Sequence, residues 1–221
     1  ATLDGAVGFT YEYPVVIPEK TQRRHFAYVQ GHESTSHQLW IFLQSEERTI
    51  DRFAVMGLAA DKEKPIVAEL GTTPAPGLPG SGADVAHARA DELPDRWFGF
   101  EGLHALLWLD AAAAPLPDPA QLESLHQWIA TGGHLIVARS NTVGLSGTFL
   151  EKLLPVTLRE PRMNSDWKAL GTLAGTSAPT GEGALLTVTP KSGNILAGSR
   201  EGHLAIQSLV GRGRITFLAF T

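Results

Sequence analysis

The sequence of 221 residues predicts an α/β fold with a mostly parallel sheet, and three stretches carry that prediction. LHALLWLD (103–110) is a nearly continuous apolar run, the pattern of a strand covered on both faces. Residues 118–131 read as a capped amphipathic helix, and HLIVA (134–138) returns to strand straight after Gly132 and Gly133. Strand, helix, glycine turn and strand inside 93–139 make the repeating unit of a parallel sheet with helices on both faces.

The front of the chain predicts a β-rich elaboration, or the first part of the sheet, over residues 1–70. YEYPVVIP and RRHFAYVQ are short β-like runs, and prolines at both ends of VVI suit an edge strand or an extended surface crossing. HQLWIFLQ (37–44) and DRFAVMGLAA (51–60) are apolar enough for buried strands, with SEERTI between them as a turn. GTTPAPGLPGSGA (71–83) holds neither helix nor apolar side chains to bury, and reads as a long loop or linker. The α/β core then occupies 84–221.

In that core ADVAHARA supplies a strand with Val85 and His87 on one face. The helix signals are complete: Asp118 at the N-cap, Pro119 at the first position and Gln121 three residues after the cap. Leu122, Leu125 and Ile129 line one face beside Trp128, and one of the two glycines takes the left-handed cap. GTFLEKLLP is a short helix stopped by Pro155. VTLRE and ALLTVT read as strands. HLAIQSLV and RITFLAF, joined by Gly211-Arg212-Gly213, form a C-terminal antiparallel hairpin.

Composition narrows function mainly by exclusion. With no cysteine, the chain has no thiol nucleophile, thiolate metal site or disulfide. The net charge of -5 is uneven: residues 1–110 carry 16 acidic and 9 basic side chains, and 111–221 carry 7 and 9. Neither half clusters basic residues with aromatics, so no nucleic acid is expected as a partner. No run reaches the roughly 18 apolar residues of a membrane span. A chain stopping at RITFLAFT suggests a piece excised from a longer protein, with membrane contact only through segments outside it.

Candidate chemistry is sparse. Asp110 ends a central strand, where open α/β sheets bind ligands, with Asp95, Arg96 and Glu101 near the same connection. Ser140 and Asn141 follow HLIVAR, where a nucleophile elbow would stand, but RSNTVGLSG does not match G-x-S-x-G. Turn formation is the simpler account of Ser140 and Asn141, as capping a loop or facing solvent is of Asp110. Spacings among His25, His32 and His37 match no standard ligand set, so no metal is expected. GTTPAPGLPGSG places prolines where a phosphate cradle needs N–H donors, and no cofactor is implied. GRGR (211–214) is satisfied by a hairpin turn, and Trp97, Phe98 and Phe100 by fastening the connection to the sheet.

LPDRWFGFEGLHALLWLD, LESLHQWIATGGHLIVA and GRGRITFLAF together resemble the class I glutamine amidotransferase-like superfamily, in its uncharacterised envelope-protein branch. The resemblance covers about half the chain. It implies a flavodoxin-like layout and a cysteine at a strand-to-helix elbow; here Arg139, Ser140 and Asn141 occupy that place, so no catalytic residue carries over. It also implies a cell-envelope location, as the soluble domain of a membrane-anchored protein, with the cytoplasm as the alternative. The resulting expectation is a non-catalytic domain binding a protein or a small molecule. The alternative is a hydrolase using a carboxylate or serine at the sheet edge, through Asp110 or Ser140.

Overall fold

The computed structural model describes residues 10–22, 25–29, 38–45, 48–56, 64–71, 82–109, 117–145 and 147–221. The chain divides into two compact units, Ala1–Lys62 and Glu63–Thr221.

In the first unit, β1 (Gln38–Ser45) and β2 (Arg48–Met56) form a two-stranded antiparallel sheet with an irregularity between Leu43 and Gln44. β1 lies where its apolar run predicts, β2 begins at Arg48, inside the SEERTI expected as a turn, and the expected burial of both is corrected. Trp40, Phe42 and Phe53 are 47%, 53% and 54% exposed. Successive side chains of a strand point to opposite faces, so a continuous apolar run loads both faces of the hairpin. The described parts of YEYPVVIP and RRHFAYVQ form no strand. They meet where the Tyr13 hydroxyl donates to the Tyr28 carbonyl and accepts from the Tyr28 N–H.

The second unit is built on a seven-stranded sheet. Its strands are β3 (Ile66–Leu70), β4 (Asp84–Ala88), β5 (Leu103–Trp108), β6 (His134–Ala138), β9 (Asn194–Gly198), β10 (His203–Val210) and β11 (Gly213–Leu218). They lie in the order β4-β3-β5-β6-β11-β10-β9. The first five run parallel, while β10 is antiparallel to both β11 and β9. A largely parallel core with a C-terminal antiparallel hairpin therefore stands as the sequence predicts. β3, which PIVAEL did not announce, lies between β4 and β5, ahead of the 71–83 segment.

The two faces of the sheet differ chemically. Leu70, Trp108, Val137, Phe217 and Ile206 pair across five strands and are all buried. They join the hydrophobic cluster that holds Leu125, Trp128 and Ile129 of α1 (Pro119–Thr131). One residue earlier along each parallel strand, the opposite face carries His87, Glu69, Leu107, Ile136, Thr216 and, on β10, Gln207. A strand's two-residue period thus separates a dry row from a mixed one, apolar at Leu107 and Ile136 and polar on either side.

The start of α1 follows from its local chemistry. The Asp118 carboxylate accepts from the Gln121 N–H at 2.9 Å, and the Gln121 side-chain carbonyl accepts from the Asp118 N–H at 2.8 Å. Gln121 does more than cap: its amide also donates to the buried Leu93 carbonyl at 2.7 Å. Gly132 has φ of 139°, whereas Gly133 lies against the Trp128 ring. Each glycine has its own reason to be there.

Between β6 and β9 the chain forms α2 (Phe149–Leu153), β7 (Val156–Asn164), α3 (Lys168–Ala174) and β8 (Gly183–Pro190). β7 and β8 pair antiparallel as a separate two-stranded sheet. It is linked to the main sheet where the Leu186 N–H donates to the Ala219 carbonyl at 2.7 Å.

Candidate functional site

Parallel sheets gather functional groups at their carboxyl edge, because every connecting loop there leaves from the end of a strand. Ser140 and Asn141 lie at that edge, immediately after β6. Arg139 is buried, and its guanidinium donates to the Val143 carbonyl. The Asn141 side chain accepts from the Val143 N–H at 2.9 Å. Both bonds brace one tight turn, the role turn chemistry gives these residues. The Ser140 hydroxyl meets the Thr221 hydroxyl at 3.0 Å. Asp110 lies outside the described residues, as do Ser146, His32, His37 and most of the 71–83 segment.

A second cluster at this edge escaped the sequence reading. Glu69 of β3 is 2% exposed, and its carboxylate lies 3.4 Å from Nδ1 of His87 on β4. The two residues are direct register partners in a parallel pair, each one position from its strand's end. The His87 side chain remains 44% exposed. A buried carboxylate loses several kcal/mol of hydration, so its partners have to return that energy. Here one partner is an imidazole whose Nδ1 faces the carboxylate, leaving Nε2 for other chemistry. The signal in sequence was Glu69 within the apolar run IVAEL, together with the prediction of His87 on a strand face. Only parallel pairing across neighbouring strands unites them.

Ser140 and His87 do not converge. Three strand spacings separate β6 from β4, about 14 Å. Among the described residues, no histidine bonds the Ser140 hydroxyl.

On the same face of the sheet, two residues before Ile136, His134 Nε2 lies 2.9 Å from the Thr216 hydroxyl, which accepts from the Gln207 amide at 3.0 Å. Burial lowers the His134 pKa to about 4, with a further push from the Arg214 charge. The ring is therefore neutral near pH 7, and its tautomer sets which of Nε2 and the Thr216 hydroxyl donates. The spacing suits a nucleophile and its base, but a base this weak pulls poorly on a hydroxyl. The buried hydroxyl in mid-strand is explained by satisfying its neighbours.

Of the remaining candidates, Phe100 is buried and stacks on Trp128 at 5.3 Å. Trp97 and Phe98 are exposed and meet edge to face. GRGR makes the β10–β11 turn, with Gly211 at φ 59°. Among the described residues, no group of three or more His, Asp or Glu is placed to hold a metal ion. The chain contains no cysteine, which excludes cysteine-dependent glutaminase activity.

No protein-family model matches the chain, and neither does any curated protein. Solved structures do match in fold. Cytoplasmic protein STM3548 from Salmonella typhimurium superposes with a TM-score of 0.52 at 10% identity, over 69% of this chain and 86% of its own. Cytoplasmic protein STM1381 from Salmonella typhimurium LT2 gives 0.50 at 12% identity, over 70% and 87%. An exo-beta-1,4-mannosidase from Opitutaceae bacterium strain TAV5 gives 0.45 at 14% identity, over 71% of this chain and 31% of the enzyme. That overlap is too loose to bear on chemistry. The first two place the chain among α/β proteins of this architecture.

The expected envelope location is corrected. Both of those Salmonella proteins are cytoplasmic by description. The envelope reading rested on sequence likeness alone.

Proposed function

We propose that the second unit is a hydrolase domain working from the carboxyl edge of its parallel sheet, with His87 as general base and Glu69 as the residue that orients it. The observation that carries this reading is the 3.4 Å contact between a buried carboxylate and a half-exposed imidazole beside the point where strand order reverses. A carboxylate on Nδ1 fixes the ring's tautomer and leaves Nε2 to accept a proton from water. The water oxygen then bonds to the carbonyl carbon of an ester-type substrate. The carbon–leaving-group bond breaks, and the imidazolium returns its proton to the leaving group. Water serves as nucleophile because Ser140 is too far from His87 to do so.

The test is hydrolysis of a panel of chromogenic esters and glycosides. His87→Ala should lower kcat/KM by about 10²-fold or more, the usual worth of a general base. Glu69→Gln should reduce kcat and alter the pH profile. Absence of turnover across the panel, or turnover untouched by His87→Ala, would sink the reading.

A ligand-binding role without turnover is the second reading. It is favoured by the braced turn at Arg139–Val143, which presents the Ser140 and Asn141 side chains as fixed polar groups. Binding without hydrolysis, weakened by replacing Ser140 and Asn141, would select it.

The order β4-β3-β5-β6-β11 follows the 2-1-3-4-5 pattern, which supports a flavodoxin-like assignment and kinship with the amidotransferase-like superfamily. For location we propose the cytoplasm, the setting given for the two Salmonella proteins.

A further inference from the structure

We infer that a second ligand site lies at the amino edge of the sheet, and that it takes a neutral polyhydroxylated ring of the pyranose class. A hollow of about 390 Å³ opens where the turn before β5 meets the end of α1. Trp97, Glu101, Trp128, Thr131 and Gly133 line it, far from the carboxyl-edge pair of Glu69 and His87. Trp128 is buried and stacked on Phe100, which makes a rigid aromatic floor. Any side chain at residue 133 would collide with that indole, which keeps the wall at this point bare main chain. Trp97 stands at the rim, 38% exposed, in a short 3-10 turn closed by the Glu101 N–H donating to the Phe98 carbonyl at 3.1 Å.

The lining selects among ligand classes. A wholly apolar ligand would desolvate Glu101 without pairing it. An anion would face the Glu101 carboxylate and the carbonyl end of α1, whose last turn holds no basic side chain. A ring with one C–H face and a rim of hydroxyls suits the lining: its face stacks on Trp97, and its hydroxyls donate to Glu101 and to the Thr131 hydroxyl, whose own proton goes to the Trp128 carbonyl at 2.9 Å. The inference is independent of the chemistry at the other edge.

Saturation-transfer NMR on the whole chain with methyl pyranosides, cellobiose and maltose tests the site. Ring C–H protons should receive saturation in the wild type and in His87→Ala. Affinity should fall about tenfold or more in Trp97→Ala, from loss of one stacking indole. It should fall less in Glu101→Gln and be largely kept in Trp97→Tyr. Near-UV circular dichroism verifies that each variant is folded. No saturation of any pyranoside by the folded chain, or undiminished transfer in both Trp97→Ala and Glu101→Gln, overturns the inference. Preferential binding of tetramethylammonium overturns the ligand class.

Discussion

Replacing Gly133 by alanine adds one methyl group and should cost about 3 kcal/mol. The new Cβ would stand 2.4, 2.4 and 2.7 Å from three atoms of the Trp128 ring. Such separations require movement, yet the ring is buried and its far side is held by Phe100 at 5.3 Å. Gly133 does not have positive φ, so the penalty is one of packing, not of backbone conformation. Overpacking in a filled core costs about 1–3 kcal/mol, and three simultaneous clashes against a wedged ring put this case at the upper end. At about 2–4 °C per kcal/mol for a unit of this size, Tm should fall by about 6–12 °C. Urea denaturation followed by far-UV circular dichroism measures the loss. Trp128→Leu in the same chain removes the obstructing ring, so the double variant should be more stable than the two single losses added together. A loss under about 1 kcal/mol, or simple additivity, would refute the reasoning.

Two further stability predictions follow from polar groups in the second unit. His134, with its pKa lowered from 6.5 to about 4, contributes stability that is full above pH 6.5 and lost as pH falls toward 4, since only the unfolded chain binds the proton readily in that window. The shift corresponds to about 3.4 kcal/mol for a sequestered ring, reduced to roughly 1–2 for one partly open to water. The loss should vanish in His134→Gln, and an NMR titration placing His134 near 6.5 would refute it. Gln121→Ala should cost about 2–3 kcal/mol because it leaves the buried Leu93 carbonyl without this donor, against about 1 for Asp118→Ala, which loses only the cap. Urea midpoints in the reverse order would contradict that assignment.

What the sequence made legible was local. Asp118, Pro119 and Gln121 announce α1 because capping acts within one turn. The runs of β5, β6, β10 and β11 announce themselves through apolar density. β3 was missed because IVAEL is short and holds a glutamate, which looks like loop until its partner is known. That partner, His87, lies on another strand, and parallel register is not written in either strand alone. The same limit explains the β1–β2 hairpin, since apolar content specifies an extended chain but not what covers it. Ser140 and Asn141 were placed correctly at the end of β6, but their neighbours were not. The Thr221 hydroxyl reaches Ser140 from 81 positions away.

The order of the sheet also dictates an order of assembly. β6 and β11 are neighbours, yet His134 and Thr216 are 82 positions apart in sequence, with the antiparallel strands of the sheet and the β7–β8 pair made in between. At about 5–20 residues per second on the ribosome, the free side of β6 waits roughly 4–16 s for the strand that seals it. During that interval Leu135 and Val137 stand beside an open row of main-chain donors and acceptors, the arrangement most prone to pairing with the wrong chain. The finished protein hides that seam in the middle of its sheet. Its yield in a cell should therefore depend on how quickly the segment between β6 and β11 is translated, and on chaperones that occupy the β6 edge meanwhile.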